Sequence, residues 1–160
     1  MKRMFDTFGL GNLELANRFV FPPIKLGYGN PDGTVTDRQL NFYQQIAKSG
    51  PGLVIIEPVS VTADGREHPK QPCVHLPESA AELKRSLTSF TERDTLACLH
   101  LNHAGAAANP KATGAKPKAP IRYFMPTTGQ DSDPLNREEI KTIVLDTVMR
   151  PKRESRQAST

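Results

Sequence analysis

The chain has 160 residues, 37% of them hydrophobic, and a net charge of +4. That length fits one domain with a real core, while no apolar run reaches the roughly 18 residues of a membrane span and no apolar stretch follows Met1-Lys2-Arg3 to make a secretory leader. The tail, residues 147–160, sets Arg150, Lys152, Arg153 and Arg156 against Glu154, a surplus of +3, so the body carries only about +1 and no basic nucleic-acid footprint.

These features predict a soluble cytoplasmic protein with no membrane or nucleic-acid partner. Phe5 to Leu15 predicts a hairpin over 7–15, turning at Gly9-Leu10-Gly11-Asn12. Arg18-Phe19-Val20-Phe21 follows as a β-prone run that Pro22-Pro23 ends. Thr36 and Gln39 form a capping-box pattern. The helix they open presents Leu40, Tyr43, Ile46 and Ala47 on one face and stops at Gly50. Leu53-Val54-Ile55-Ile56 is a continuous apolar run after a helix, which suits a strand covered on both faces.

The pattern then repeats. Ser79 with Glu82 predicts the start of a second helix with Leu83 and Leu87 on its apolar face, and Leu96 to Leu101 predicts a third strand. Residues 103–134 are rich in proline, alanine and lysine. A connection that long is either functional or partly disordered. Asn136 with Glu139 caps a third helix through Ile140, Ile143 and Val144. From Thr147 on, apolar periodicity is lost, and composition predicts a disordered tail over 147–160 behind an ordered region 1–146. Strands at 18–21, 53–57 and 96–101, alternating with helices, predict an α/β fold with a parallel sheet.

Cys73 and Cys98 fit no metal-ligand spacing and are not expected to pair. Cys98 lies in an apolar run, where a buried thiol is expected; Cys73 reads as a loop residue. Glu57 reads as a buried ion-pair partner or a catalytic carboxylate. Lys111, Lys116 and Lys118 read as a solvated face rather than a phosphate clamp. Gly27, Gly29 and Gly33 lack dinucleotide-fingerprint spacing and read as turn glycines. His100 and His103, three apart on a strand end, are not a metal pattern.

Chemistry in such folds gathers at the C-terminal ends of strands. Three clusters stand there: Pro22 to Tyr28, Glu57 to Ser60, and His100 to Gly105. Asn17-Arg18-Phe19-Val20-Phe21-Pro22-Pro23-Ile24 resembles the first strand of the Old Yellow Enzyme family. Gly52 to Val61, ending in Gly65-Arg66, resembles its second strand, and Leu99-His100-Leu101-Asn102-His103-Ala104-Gly105 its third. Within that family the chain resembles the NADH:flavin oxidoreductase/NADH oxidase group near the 2,4-dienoyl-CoA reductase branch.

The resemblance implies the N-terminal part of a (β/α)8 TIM barrel, cut after about three βα units. It implies an FMN-dependent oxidoreductase that passes a hydride from NAD(P)H through FMN to an activated alkene or similar acceptor. Pro23, Ile24, Lys25 and Ser60 would line the flavin, and His100 would stand where the family has a glutamine against its pyrimidine edge. Tyr28 would face substrate. Lys25 replaces a threonine or cysteine, and Ala106 the arginine after His-Ala-Gly. The family's iron–sulfur cysteine ligands have no counterpart here. A complete barrel takes roughly 250 residues, so the expectation is an inactive fragment that binds FMN weakly at best, or alternatively a non-catalytic interaction module that self-associates through exposed edges. The tail further suggests a frameshift near Asp146, an expectation that the downstream gene sequence tests.

Overall fold

Asn17 sets the register at the N-terminal end of the sheet. Its Oδ1 accepts from the amides of Phe19 (3.0 Å) and Gly52 (2.8 Å), and its Nδ2 donates to the Gly50 carbonyl (2.8 Å). A Cβ on Gly52 would meet the Asn17 carbonyl at 2.4 Å, so only glycine allows this approach. The computed structural model describes residues 3–91 and 94–157, without the side chains at 86, 88, 89, 91 and 149–157.

The hairpin is strand β1 (Phe8–Leu10) against β2 (Leu13–Leu15), antiparallel. Strands β3 (Val20–Phe21), β4 (Leu53–Ser60) and β5 (Leu96–Asn102) form one parallel sheet in the order β3-β4-β5. Helix α1 (Asp37–Lys48) links β3 to β4, and α2 (Pro77–Thr91) links β4 to β5. The three parallel strands and the hairpin are where the apolar runs put them. β3 is shorter than expected because the pairing covers only Val20↔Leu53 and Phe21↔Val54.

The core lies between the sheet and the two helices. Tyr43 and Ala47 of α1, Val54, Ile56 and Val59 of β4, and Leu83 and Phe90 of α2 are buried together, with Ala97, Leu99 and Leu101 of β5 packed against them. Burying a side chain of this size stabilises the fold by ~1.5–3 kcal/mol. The opposite face of the sheet is open: Val20 is 47% exposed, and Cys98 and His100 are exposed. This corrects the expectation for Cys98. An apolar run does not say which of its alternating side chains is covered, and here the partners of α2 are Ala97 and Leu99.

Capping follows the sequence in part. The Gln39 amide donates to Thr36 Oγ1 (3.2 Å), but the Gln39 side chain turns inward to Glu57 instead of closing the box. Gly50, at φ 72°, ends α1 as expected. Helix α2 starts at Pro77, two residues before the expected Ser79, because proline's missing N–H costs nothing in the first turn. Ser79 is buried and donates to the Gly33 carbonyl (2.9 Å).

The long connection is ordered by short pairings. A 3-10 turn (Gly105–Ala107) and helix α3 (Pro110–Thr113) lead to β6 (Lys118–Ala119), which pairs in parallel with β9 (Asp133–Pro134). Between them β7 (Phe124–Met125) pairs with β8 (Gln130–Asp131). The fully buried Ser132 hydroxyl accepts from the Tyr123 amide (3.1 Å) and sits within reach of the Tyr123 carbonyl. Lys116 pairs with Asp133 and Lys118 with Glu139, so these lysines form a surface of ion pairs.

Helix α4 (Arg137–Gln157) runs past the Thr147 boundary that composition suggested, and the absence of packing that composition predicts for 150–160 falls outside the described side chains. Its capping box is complete. Asn136 Oδ1 accepts from the amides of Glu138 and Glu139 (both 2.9 Å), and Glu139 Oε2 accepts from the Asn136 amide (2.8 Å). Replacing Asn136 with alanine should lower stability by about 1 kcal/mol. Urea denaturation checks this, and an unchanged midpoint would mean that α4 stands without its cap.

Candidate functional site

All three parallel strands end on one rim. The loop after β3 supplies Pro23, Ile24, Lys25 and Tyr28; β4 ends at Ser60; β5 carries His100 and ends at Asn102. A parallel sheet puts these C-terminal ends side by side, and the register sets Ser60 opposite Asn102 and Pro58 opposite His100.

Lys25 is exposed and its Nζ pairs with Glu67 of the loop after β4. Ile24 is 44% exposed. The His100 side chain is exposed on the open face of the sheet. Ser60 is fully buried. Its amide donates to the Pro72 carbonyl (2.8 Å), its carbonyl accepts from Val74 (2.9 Å), and its hydroxyl donates to the Thr62 carbonyl (2.7 Å). The segment 72–74 thus takes the place beside β4 that the short β3 leaves, and Ser60's backbone polar groups are engaged within the fold. Tyr28 packs edge-on to Phe42 (6.0 Å between centroids), with the Arg38 guanidinium 4.0 Å from its ring centre. These contacts hold the ring against α1.

Several residues that the sequence reading did not single out hold this rim together. Arg66 is 4% exposed. Its Nη1 donates to the carbonyls of Pro31 (2.8 Å) and Ala112 (3.3 Å), and its Nη2 to that of Pro69, so one guanidinium ties the loops after all three strands. Gln71 is fully buried. Its Oε1 accepts from the Glu67 amide (2.5 Å), and its Nε2 donates to the Pro58 carbonyl (3.2 Å) and Asn102 Oδ1 (3.1 Å). Half-buried His68 lies near Lys25; burial first, and that cation second, hold its imidazole below the usual histidine range.

Glu57 is fully buried and has no cationic partner among the described residues. Its Oε1 accepts from Gln39 Nε2 (2.5 Å) and its Oε2 from the Leu26 amide (3.3 Å), while its own amide donates to the Tyr43 hydroxyl (2.8 Å). Burial pushes its carboxyl above the usual range, and these hydrogen bonds offset only part of that. Of the two roles the sequence left open, the ion pair is therefore not formed, and the carboxyl lies buried between α1 and the backbone of the loop after β3. His103 accepts from the Gly105 amide at Nδ1 (3.1 Å) and turns Nε2 toward Asp64 at 3.8 Å. A Cβ on Gly65 would meet its ring at 2.6 Å, which explains a glycine there.

A parallel β/α sheet with this rim occurs in known proteins. Residues 3–153 match the NADH:flavin oxidoreductase / NADH oxidase family. The chain belongs to that family. It is 25% identical over 143 residues to an NADPH dehydrogenase of Clostridium acetobutylicum, covering 89% of this chain and 42% of that protein. It is 30% identical over 146 residues to an NADH oxidase of Thermoanaerobacter brockii, covering 88% of this chain and 22% of that protein. Among solved structures, the Old Yellow Enzyme homologue from Zymomonas mobilis superposes with a TM-score of 0.83 at 21% identity, over 91% of this chain and 43% of that one. Morphinone reductase in complex with tetrahydroNAD gives 0.82 at 22% identity, over 96% and 47%.

The fold is thus the N-terminal part of an Old Yellow Enzyme-type TIM barrel, as the resemblance of the three strand motifs implied. The chain spans less than half the length of these relatives. The NADH:flavin oxidoreductase fold also accounts for the open face of the sheet, because in a barrel that face looks inward.

Proposed function

We propose that this chain supplies part of an FMN site in an oxidoreductase that uses NAD(P)H to reduce an activated alkene or similar acceptor. One observation carries the reading: three parallel strands deliver Pro23, Ile24, Lys25, Ser60 and His100 to a single rim beside an uncovered sheet face. The donor set suits an isoalloxazine ring, which is flat and apolar across its face and polar at one edge. Ile24 and Pro23 offer apolar surface, Lys25 a cation, and His100 a ring nitrogen that can donate or accept. FMN, when bound, supplies the hydride relay between the nicotinamide and the acceptor.

The protein's share is to bind and to bias charge. Backbone groups of Pro23 to Lys25 would hold the ring, and Lys25 would stabilise negative charge there. His100 bonds the pyrimidine edge. Ser60, fully buried with its own polar groups engaged, supports the rim from within rather than bonding the ring. Tyr28 faces substrate in this reading and must leave its packing on Phe42 and Arg38 to do so. The named activities of the NADPH dehydrogenase and NADH oxidase relatives, and the nicotinamide analogue of the morphinone reductase complex, support the choice of reductant. A second reading, an interaction module that associates with itself, is favoured by the exposure of Val144 (54%), Leu145 (58%) and Val148 (49%) on α4.

Titration of the purified chain with excess FMN, followed by flavin fluorescence, tests the first reading. Saturable but weak quenching is expected, weaker still in Lys25→Met. No saturable quenching by the folded chain would overturn it and leave the interaction module.

A further inference from the structure

We propose that Glu67 is a positioning residue for the rim, setting the charge that Lys25 presents to a bound flavin. The inference rests on the reading that Lys25 lies beside that flavin. Lys25 and Glu67 come from different loops, after β3 and after β4, and meet as an ion pair at the C-terminal ends of the strands. No other acid pairs with Lys25 among the described residues.

The loop that carries Glu67 is fixed far more firmly than a surface ion pair requires. On one side of Glu67, buried Arg66 clamps the loops at Pro31, Pro69 and Ala112. At Glu67 itself, the amide donates to Gln71 Oε1, and Gln71 in turn grips Pro58 and Asn102 at the ends of β4 and β5. Two fully or nearly fully buried polar side chains therefore fix the backbone from which Glu67 reaches Lys25. An exposed pair on mobile side chains contributes little to stability, so this scaffolding points to a role in the site's electrostatics.

The chemical consequence is a matter of charge. A lone ammonium group beside the ring favours the reduced, more electron-rich flavin over the oxidised one. A paired ammonium group is close to neutral at the distance of a ring, and the bias is lost. Glu67 thus holds the flavin's potential lower than Lys25 alone would set it, while Lys25 still offers N–H donors.

The experiment measures the affinity of the chain for oxidised FMN and for dithionite-reduced FMN under anaerobic conditions, by absorbance and fluorescence. The proteins are wild type, Glu67→Gln, Lys25→Met and the double variant. The expected result is that Glu67→Gln raises the ratio of reduced to oxidised affinity about tenfold, which is about 30 mV for a two-electron couple. Lys25→Met should lower the ratio by a similar factor and the double variant should return it to near the wild-type value, because the two charges offset each other at the ring. An unchanged ratio in Glu67→Gln overturns the inference while leaving the flavin site intact. An unchanged ratio in Lys25→Met also overturns it, since Lys25 would then present no charge to the flavin. Failure of folded wild type to bind either form overturns the flavin reading and this inference with it.

Discussion

Replacing Arg66 with alanine is expected to destabilise the chain by about 3 kcal/mol, the scale of losing hydrogen bonds to a buried charged group. Arg66 has no carboxylate partner among the described residues; its Nη1 and Nη2 donate to carbonyls of three separate segments, while its buried Nε has no partner. Without the guanidinium, the carbonyls of Pro31, Pro69 and Ala112 lose their shared donor, and a void opens where a 4% exposed side chain stood. Lysine should restore only a small part of the loss, because a single ammonium group cannot reproduce the planar fork. Urea denaturation of Arg66→Ala, Arg66→Lys and wild type measures this. A loss under about 0.5 kcal/mol for alanine would show that the loops hold one another without the arginine. Limited proteolysis adds a spatial check, since cleavage near Pro31 and Ala112 should rise before cleavage within β4.

Glu57 should make stability fall as pH rises. Its carboxyl pKa in the folded chain lies above the ordinary value of 4.5, chiefly because burial disfavours the charge. Between the ordinary and the raised value the native state binds more protons than the unfolded chain, so stability declines with pH across that interval and stays low above it. Asp32 and Glu139 act the other way. Hydrogen bonds from Thr34, and from Lys118 and Asn136, hold their carboxyls below the ordinary range, so their contribution is lost only as pH falls into the acid region. Burial also holds His68 and His103 below the ordinary histidine range, so they make stability rise with pH over part of the same window, and the share of Glu57 is read as the difference between wild type and Glu57→Gln.

Glu57→Gln should remove most of this slope and raise stability at pH 8 by about 1–2 kcal/mol, the scale of an imperfectly compensated buried polar group. The new amide keeps an acceptor for Leu26 and gains a donor facing Gln39, whose Oε1 has no partner. Denaturant melts at pH 5 and pH 8 supply the comparison. The same change in stability between pH 5 and pH 8 in wild type and in Glu57→Gln would mean that Glu57 is ionised throughout and adequately solvated.

Strand order and helix placement were legible because both rest on apolar spacing and capping chemistry. Leu53 to Ile56 form the expected strand, covered on the face toward the helices while Leu53 and Ile55 on the other face are half-buried, and Asn136 with Glu139 formed the cap that their spacing describes. What spacing does not carry is the direction of a side chain. Cys98 lies in the same apolar run as Leu99 but faces away from α2, and Gln39 closes half a capping box before turning to Glu57. The long connection was unreadable for a similar reason. Pairings of two residues, such as Lys118–Ala119 with Asp133–Pro134, leave no periodicity to detect.

The rim divides along the same line. Pro23, Ile24, Lys25, Ser60 and His100 come from runs adjoining strands, and the strands carried them into view. Glu67 and Gln71 lie in an irregular loop, where their partners are set by tertiary contacts up to 42 positions away in the chain.

The break in register between Ile56 and Pro58 gives one strand two jobs. Glu57 is the residue with no opposite number on β5, and the alternation of faces resumes after it, with Val59 against the helices and Ser60 away from them. The buried carboxyl therefore arises from an inserted position rather than from an exchange of one side chain for another. A β4 shorter by that one position would keep every other residue facing as it does now. In descent as in design, acid and bulge would then be gained or lost together, as a change in length that leaves the remainder of the strand's pattern untouched.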